Sequence, residues 1–525
     1  MRVNFLEKLY SGPRKFAIVF PNNFELGAAN LAPHILFRQL NDFGLTDIFF
    51  LNTKGGIRTG LPLNEFDIIF FTLPYEIDFL NVLKILEDYN IPVLRENRDG
   101  THPLIAAGGI TVTSNPFPLF PFVDVFFLGE SEVILDKILG VDTDEKEEFL
   151  QEIKNYYFSV IPGLKENGRR AFQFRIQEFL SYSAFTDSSS VFGETFLAEV
   201  VRGCPWKCRF CLLSYITLPP RAVELGEVFR VFEEKLRNRM PVGLVGSALG
   251  DHPDFPEILK FLKNRASNVS VSSLRIETIS KEILELLKEN GTKTLTVAPE
   301  AGTERLRKVI NKPIKDEDIE RMARLAREVG ILKIKVYFMA GLPTETEEDI
   351  EGIGKTVQLI RENFKGPVSV TVSPFVPKPH TPFQDMLLWR ENELKRRLRK
   401  LKIDPKVKVS IGSPRLALVQ SILARGDEKV GEALYYSFKN NLGLISSLKK
   451  LKMDPDKYLY NESYFRDAPY KKINTGVTEW FLNFEKERGL KGKILGPCKT
   501  DVCTLCGICH SGRSLARRGI IGDLC

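Results

Sequence analysis

The chain has 525 residues, 43% hydrophobic and 27% charged, with a mean hydropathy of −0.11. This excludes a disordered or collagen-like chain and calls for about three domains rather than one core, while no apolar run nears the roughly 18–20 residues of a membrane span. The net charge of +7 hides an asymmetry, because residues 386–525 carry 28 basic and 15 acidic side chains and residues 1–385 are slightly acidic.

The first 140 residues alternate short apolar runs with helical periodicity. Residues 15–20, 48–51, 67–73, 104–107 and 123–128 read as strands, and 31–43 and 81–90 as helices. Near-continuous apolar strands between helices predict a Rossmann-like α/β domain over 1–145, with a parallel sheet covered on both faces. Ligands of such sheets bind at the strand C-termini. That position nominates Asn22, Glu25, Tyr75, Gly108, Gly109, Gly129 and Glu130. An acidic stretch at 142–148 and a polar one at 186–190 mark a linker over 146–194.

Strand–helix alternation returns from residue 195. Strands are expected at 196–201, 242–246, 269–273, 294–297, 334–338 and 368–372, with helices such as 279–289 and 319–329 between them. Six such units over 195–385 predict a partial (β/α)6 TIM-type barrel whose site faces the strand C-termini. Beyond Pro382 the chain reads as helical and lysine-rich, giving a basic module over 386–525. A basic module on an acidic body suits a polyanion such as RNA or a ribosomal component, or else a solvated lysine-rich surface.

The eight cysteines are the most informative count. None precedes Cys204; three lie at Cys204, Cys208 and Cys211, four at Cys498, Cys503, Cys506 and Cys509, and one at Cys525. Two tight knots read as metal or cluster ligands rather than a disulfide framework, which fits a cytoplasmic protein. The first knot has C-x3-C-x2-C spacing in a loop directly after a predicted strand. Three thiolates can hold three irons of a 4Fe–4S cluster and leave the fourth open to the amino and carboxylate groups of S-adenosylmethionine (SAM). Reduction of the sulfonium then yields a 5′-deoxyadenosyl radical. The competing reading is a three-cysteine zinc site that borrows a distant histidine.

With Phe210 directly before the third cysteine, this segment resembles the radical SAM superfamily. Further stretches are similar to the same family. Residues 297–305 resemble the segment after its fourth strand, which implies contact of the acidic Glu300 with the nucleoside, with Arg305 in the same segment. Ser272 and Arg275 fall at the end of the third strand, and residues 336–343 resemble the end of the fifth. Residues 373–377 resemble the sixth strand end, which implies that Val376 lies against adenine. Where the family has Gly-Gly-Glu-Pro for the SAM amino group, this chain has Ser247-Ala-Leu-Gly-Asp251, so Asp251 would take the acidic role. The resemblance implies a reducing donor such as flavodoxin or ferredoxin.

Over nearly its full length the chain resembles an uncharacterised bacterial group with an N-terminal cobalamin-binding-like domain, a radical barrel and a C-terminal cysteine cluster. The stretches that carry this likeness are 20–27, 107–109, 129–132 and 476–482. Cobalamin is thereby implied, yet the Asp-x-His-x-x-Gly loop is missing and only His34 and His102 precede residue 252. Either cobalamin binds with no histidine on cobalt, or the domain is a scaffold that has lost it.

The second knot offers four thiolates within twelve residues. It suits a complete second 4Fe–4S cluster or a tetrahedral zinc ion, and the apolar Leu505 and Ile508 between ligands favour iron–sulfur. The leading function is a radical SAM enzyme, with cobalamin-dependent methyl transfer as one outcome. The alternatives are a methylthiotransferase-like modification of RNA or ribosomal protein that uses the second cluster, and a non-catalytic RNA-binding or assembly protein with structural metal sites.

Overall fold

Five apolar runs form a parallel sheet in the N-terminal part of the chain. They are β1 (Lys15–Phe20), β2 (Leu45–Phe50), β3 (Ile68–Thr72), β4 (Leu104–Gly108) and β5 (Val125–Phe127), in a computed structural model that describes residues 3–141, 143, 145–173, 175–498 and 505–508. Their spatial order is β2-β1-β3-β4-β5, with the short β6 (Ser159–Val160) antiparallel at the β5 edge. Both faces are buried, as continuous apolar strands require. Phe16, Ile18 and Phe20 of β1 meet Phe37 and Leu40 of the helix Leu31–Leu40 in a phenylalanine-rich core. The order reverses between β1 and β3, and such a switch point is where doubly wound sheets open a crevice at their strand C-termini.

The second unit holds the barrel. Strands β7 (Phe196–Arg202), β8 (Val242–Gly246) and β9 (Val269–Val271) run parallel, as do β10 (Thr294–Glu300), β11 (Lys333–Ala340) and β12 (Val368–Pro374). A parallel bridge between Leu274 and Val297 joins the two halves. Burial alternates along β10 to β12, so Ile334, Val336 and Phe338 lie in the core while Lys335, Tyr337 and Met339 are half-buried. Period-2 alternation in a barrel strand separates a helix-covered face from an interior one, and the interior here is only partly filled.

The chain divides differently from the expected boundaries. One compact unit comprises Met1–Gln173, Ser181–Thr195 and Val419–Gly476; the other comprises Phe174–Leu180, Phe196–Leu418 and Val477–Cys525. The expected linker over 146–194 contains the helix Lys146–Ile153 and β6, and Phe149 and Ile153 of the helix join the N-terminal core together with Phe158, just before β6. The expected module over 386–525 is split. Residues 408–411 form β13 (Lys408–Ile411), a parallel strand beside β12, and lysine-rich flanks conceal its short pattern in the sequence. The helices Glu428–Asn440 and Leu444–Lys450 belong to the N-terminal unit, and Glu479–Leu490 to the barrel unit.

Candidate functional site

The loop after β7 carries the first cysteine knot. Gly203 ends the strand with φ +85°, and a Cβ there would lie 2.7 Å from the Thr217 carbonyl, so the turn into Cys204 requires glycine. Cys204, Cys208 and Cys211 all line one cavity of about 330 Å³ at the C-terminal ends of the barrel strands. Phe210, Asp251, Ser272, Arg275 and Glu300 line it too, so eight of the ten barrel residues nominated from sequence come together. Ser247, Ala248 and Gly250 form the wall where the Gly-Gly-Glu-Pro segment was sought.

Two nominated residues are elsewhere. Arg305 is half-exposed in the helix Glu304–Val309, where it bonds to the Thr344 carbonyl at 2.8 Å and pairs with Asp349. Its sequence neighbourhood suggested a nucleoside contact; its geometry is that of a strap between two helix N-termini. Val376 is half-buried in the segment after β12 and lies outside the cavity wall.

The cavity wall is a connected set. Trp206 Nε1 donates to Asp251 Oδ2 at 2.9 Å, and the Arg275 guanidinium lies 3.8 Å over the Trp206 ring. Arg275 also bonds to Glu277 at 2.7 Å and brings one nitrogen to 4.0 Å from Cys208 Sγ. Its buried Nε has no partner. Lys312 meets Glu300 at 3.2 Å, and Glu300 holds φ +69°. Burial pushes the Cys204 thiol up to about 12 and raises that of Cys208, against the pull of Lys312 and Arg275. Burial also raises the Asp251 carboxyl above its ordinary range. Thiols held protonated in this way become ligands when a metal displaces the proton.

This donor set fits a cluster with SAM. Among the described residues no three His, Cys, Asp or Glu side chains converge on a single metal ion, but thiolates that each take a different iron of a cubane need not. The unpartnered Arg275 Nε leaves a buried donor at the wall, and buried donors are ordinarily satisfied. Sequence reasoning missed Trp206, Lys312 and Arg209. Trp206 and Arg209 sit inside the cysteine motif, where position alone could have flagged them.

Of the second knot, Cys498 and Cys506 are described, whereas Cys503, Cys509 and Cys525 lie outside the described residues. The Cys498 N–H donates to the Pro205 carbonyl at 2.7 Å, beside Cys204. Cys506 and Ile508 pack with Tyr215, Leu218, Phe481 and Leu482 in a small apolar cluster next to the first knot.

In the N-terminal unit the nominated residues also lie at strand ends, but with intrachain partners. Asn22 donates to Asp78 at 2.8 Å across the switch point, and burial raises the Asp78 carboxyl to about 6. Tyr75 donates to Gln420 at 3.3 Å, whose amide donates to Glu76 at 2.9 Å. Glu25 accepts from Asn52 at 3.2 Å, and Glu130 from the Gln173 N–H at 2.7 Å. A Cβ on Gly109 would press on Leu73 and one on Gly129 on Ala171, so both glycines have a packing reason; one on Gly108 would make ordinary contact with Phe127. His34 is buried between the Ala28 carbonyl at 3.1 Å and the Ala184 N–H at 3.1 Å, and burial lowers its pKa to about 4. His102 precedes β4, at the strand end opposite the crevice, and pairs with Asp99. Both His34 ring nitrogens are engaged within the chain and His102 lies at the opposite strand end, so the groups nominated at the switch point are amide, phenol and carboxylate.

Comparison with known proteins agrees with this geometry. The family model described as "Radical SAM superfamily" matches residues 198–357, and "Radical SAM proteins, N-terminal" matches 54–162. An uncharacterised protein of the archaeon Methanocaldococcus jannaschii is 36% identical over 457 residues, covering 85% of this chain and 96% of its own. The ribosomal protein uS12 methylthiotransferase of Desulfotalea psychrophila is 23% identical over 43% of this chain. The tRNA-2-methylthio-N(6)-dimethylallyladenosine synthase of Aquifex aeolicus is 24% identical over 48%. The chain spans 54% and 61% of the lengths of these two enzymes. Among solved structures, the cobalamin-dependent SAM radical enzyme OxsB, with aqua-cobalamin and SAM bound, is similar at a TM-score of 0.53 and 14% identity. That match covers 91% of this chain and 72% of OxsB, a likeness of fold. No helix among the described residues is long and apolar enough to cross a membrane.

Proposed function

The chain belongs to the radical S-adenosylmethionine superfamily, and on that premise we propose that Cys204, Cys208 and Cys211 hold its 4Fe–4S cluster and that SAM binds in the adjoining cavity. The cluster with SAM supplies a one-electron reductive cleavage that releases a 5′-deoxyadenosyl radical. The observation that carries the reading is the convergence of three thiols from one loop on a single strand-end cavity.

The remaining roles fall to this chain's own side chains. Asp251, oriented by Trp206, offers its other carboxylate oxygen to a cationic amino group. Arg275, stacked on Trp206 with Nε free, offers a charged donor to a carboxylate and lies beside Cys208. Glu300, held by Lys312, and Ser272, which donates to the Gly246 carbonyl at 2.8 Å, form the wall for the nucleoside. Phe210 packs against the apolar cluster of Leu306, Ile310 and Phe375 and keeps water from that side of the loop.

We further propose that the radical serves a cobalamin-dependent transfer of a methyl group. Support for cobalamin comes from the 2-1-3-4-5 strand order of the N-terminal sheet and from the fold likeness of the chain to OxsB over 91% of its length. Asn22, Tyr75, Gly108, Gly109, Gly129 and Glu130 mark the strand ends that would hold the corrin, with no histidine on cobalt. Anaerobic reconstitution with hydroxocobalamin followed by gel filtration should leave coloured protein. A colourless protein with intact SAM cleavage would reduce the N-terminal unit to a scaffold.

A second reading rests on the second knot. The hydrogen bond from Cys498 to Pro205 supports a further 4Fe–4S cluster close to the first, as a methylthiotransferase-like reaction on RNA or ribosomal protein would use. The absence of cysteines before Cys204 weighs against the arrangement expected of that family. Iron and zinc analysis of a variant lacking the first knot separates cluster from ion: about four irons should remain, whereas one zinc would leave a structural staple.

A further inference from the structure

Arg209 lies between the second and third cysteines of the first knot, yet it does not line the cavity. Its side chain is fully buried and uses every donor it has. Nε donates to the Glu485 carbonyl at 3.0 Å; one terminal nitrogen donates to the Lys308 and Val309 carbonyls, both at 3.0 Å. The other donates to the Glu485 carboxylate at 2.8 Å and to the Lys493 carbonyl at 2.6 Å. Its backbone is fixed as well, with the N–H on Ile310 at 3.0 Å and the carbonyl receiving Phe383 N–H at 3.3 Å. Glu485 is likewise fully buried on the helix Glu479–Leu490.

A planar guanidinium with five satisfied donors has one geometry, so it transmits position in both directions. On one side stands the dipeptide step from Cys208 to Cys211. On the other stands the helix that leads into Cys498 and Cys506. Asn311 repeats the connection: its amide donates to the Trp206 carbonyl at 2.9 Å while its oxygen accepts from Leu495 N–H at 2.8 Å. Gly489 completes the seat of Arg209, since a Cβ at that position would lie 2.5 Å from Arg209 Cδ.

We infer that Arg209 is a positioning residue for the open cluster, which makes the geometry of the Cys208–Cys211 step depend on the terminal helix Glu479–Leu490. The inference rests on the reading of Cys204, Cys208 and Cys211 as the cluster ligands. It assigns a task to a residue whose side chain does not line the cavity.

The test uses full-length, anaerobically reconstituted protein and the variants Gly489→Ala and Arg209→Lys. Ala at position 489 would press its Cβ on the buried Arg209 side chain, so a purely structural role predicts lower stability with an unaltered cluster. The positioning role predicts something else. Both variants should keep their iron, yet show an altered EPR signal of the reduced cluster, a diminished change of that signal on adding SAM, and a KM for SAM raised about tenfold, as misplacement by a fraction of an ångström can produce. If one variant fails to fold, the other carries the spectroscopic test. Wild-type EPR, SAM response and KM in whichever variants fold would overturn the inference. A wild-type first knot that takes up no iron would overturn it together with the cluster reading.

Discussion

Among the described residues, the N-terminal sheet and the barrel each offer the C-terminal ends of parallel strands as a place for a ligand. At the barrel end the loop after β7 places three thiols, a carboxylate and a guanidinium with an unpartnered Nε around one cavity. At the end of the N-terminal sheet the nominated side chains have other partners within the chain: Asn22 meets Asp78, Tyr75 meets Gln420, and Glu130 meets the Gln173 N–H. Topology nominates both positions equally. What separates them is side-chain chemistry: three thiols from one loop line the barrel cavity, whereas the N-terminal strand ends carry amide, phenol and carboxylate groups with intrachain partners.

A pair of glycines gives the sharpest way to break this comparison. Gly203→Ala should abolish iron uptake on the first knot, because φ +85° and the Thr217 and Pro219 carbonyls leave no room for Cβ in the turn that presents Cys204. Gly129→Ala meets the Ala171 carbonyl at 2.0 Å with φ +109°, and it should destabilise the N-terminal unit by roughly 3 kcal/mol while the barrel still loads iron. Iron content and denaturant unfolding of both variants check the contrast. Loss of the cluster in Gly129→Ala would show that the two ends are not independent.

The pH dependence of the N-terminal unit is the next effect in size. His34 is neutral in the core, with its pKa lowered to about 4 by burial against a free value near 6.5. As pH falls below 6.5 the unfolded chain takes the proton first. The contribution is therefore complete above pH 6.5 and disappears as pH falls towards 4. Between pH 7 and 5 the His34 contribution alone should fall by about 2 kcal/mol, partly offset by Asp78, whose raised carboxyl takes a proton first in the folded state. A His34→Gln variant should flatten the dependence, and an unchanged slope in that variant would remove His34 from the account.

The extent to which the site was legible in sequence follows from the range of the interactions. The cysteine spacing is a local pattern, and so are the apolar strands β1 to β5; both were readable. The placement of Asp251, Ser272, Arg275 and Glu300 on one wall follows from barrel topology once strand ends are known. Arg305 and Val376 were nominated by segment alone, and the Arg305 partner, Asp349, is a helix-capping residue more than forty positions away. Domain boundaries were the least legible. The strand β13 hides in a lysine-rich stretch, and the helices of 419–476 return to a sheet three hundred residues earlier, a non-local pairing that composition does not record.

The smallest effect concerns the wall itself. Arg275→Met removes the charged group over Trp206 and beside Cys208, and the KM for SAM should rise about tenfold, or ~1.4 kcal/mol. Arg275→Lys should rescue little, since an ammonium neither stacks nor offers a planar fork. A KM unchanged in both would leave the unpartnered Nε without a ligand.

The proposed function assigns radical generation to the first knot and not to the second. Its most direct test is 5′-deoxyadenosine release from SAM under reducing, anaerobic conditions, measured beside iron content for wild type and for the Cys204→Ala/Cys208→Ala/Cys211→Ala variant. The account predicts steady release by the wild type, and in the variant none, with a loss of about four irons per chain. Release of 5′-deoxyadenosine by the variant, or an iron content equal to that of the wild type, would contradict it.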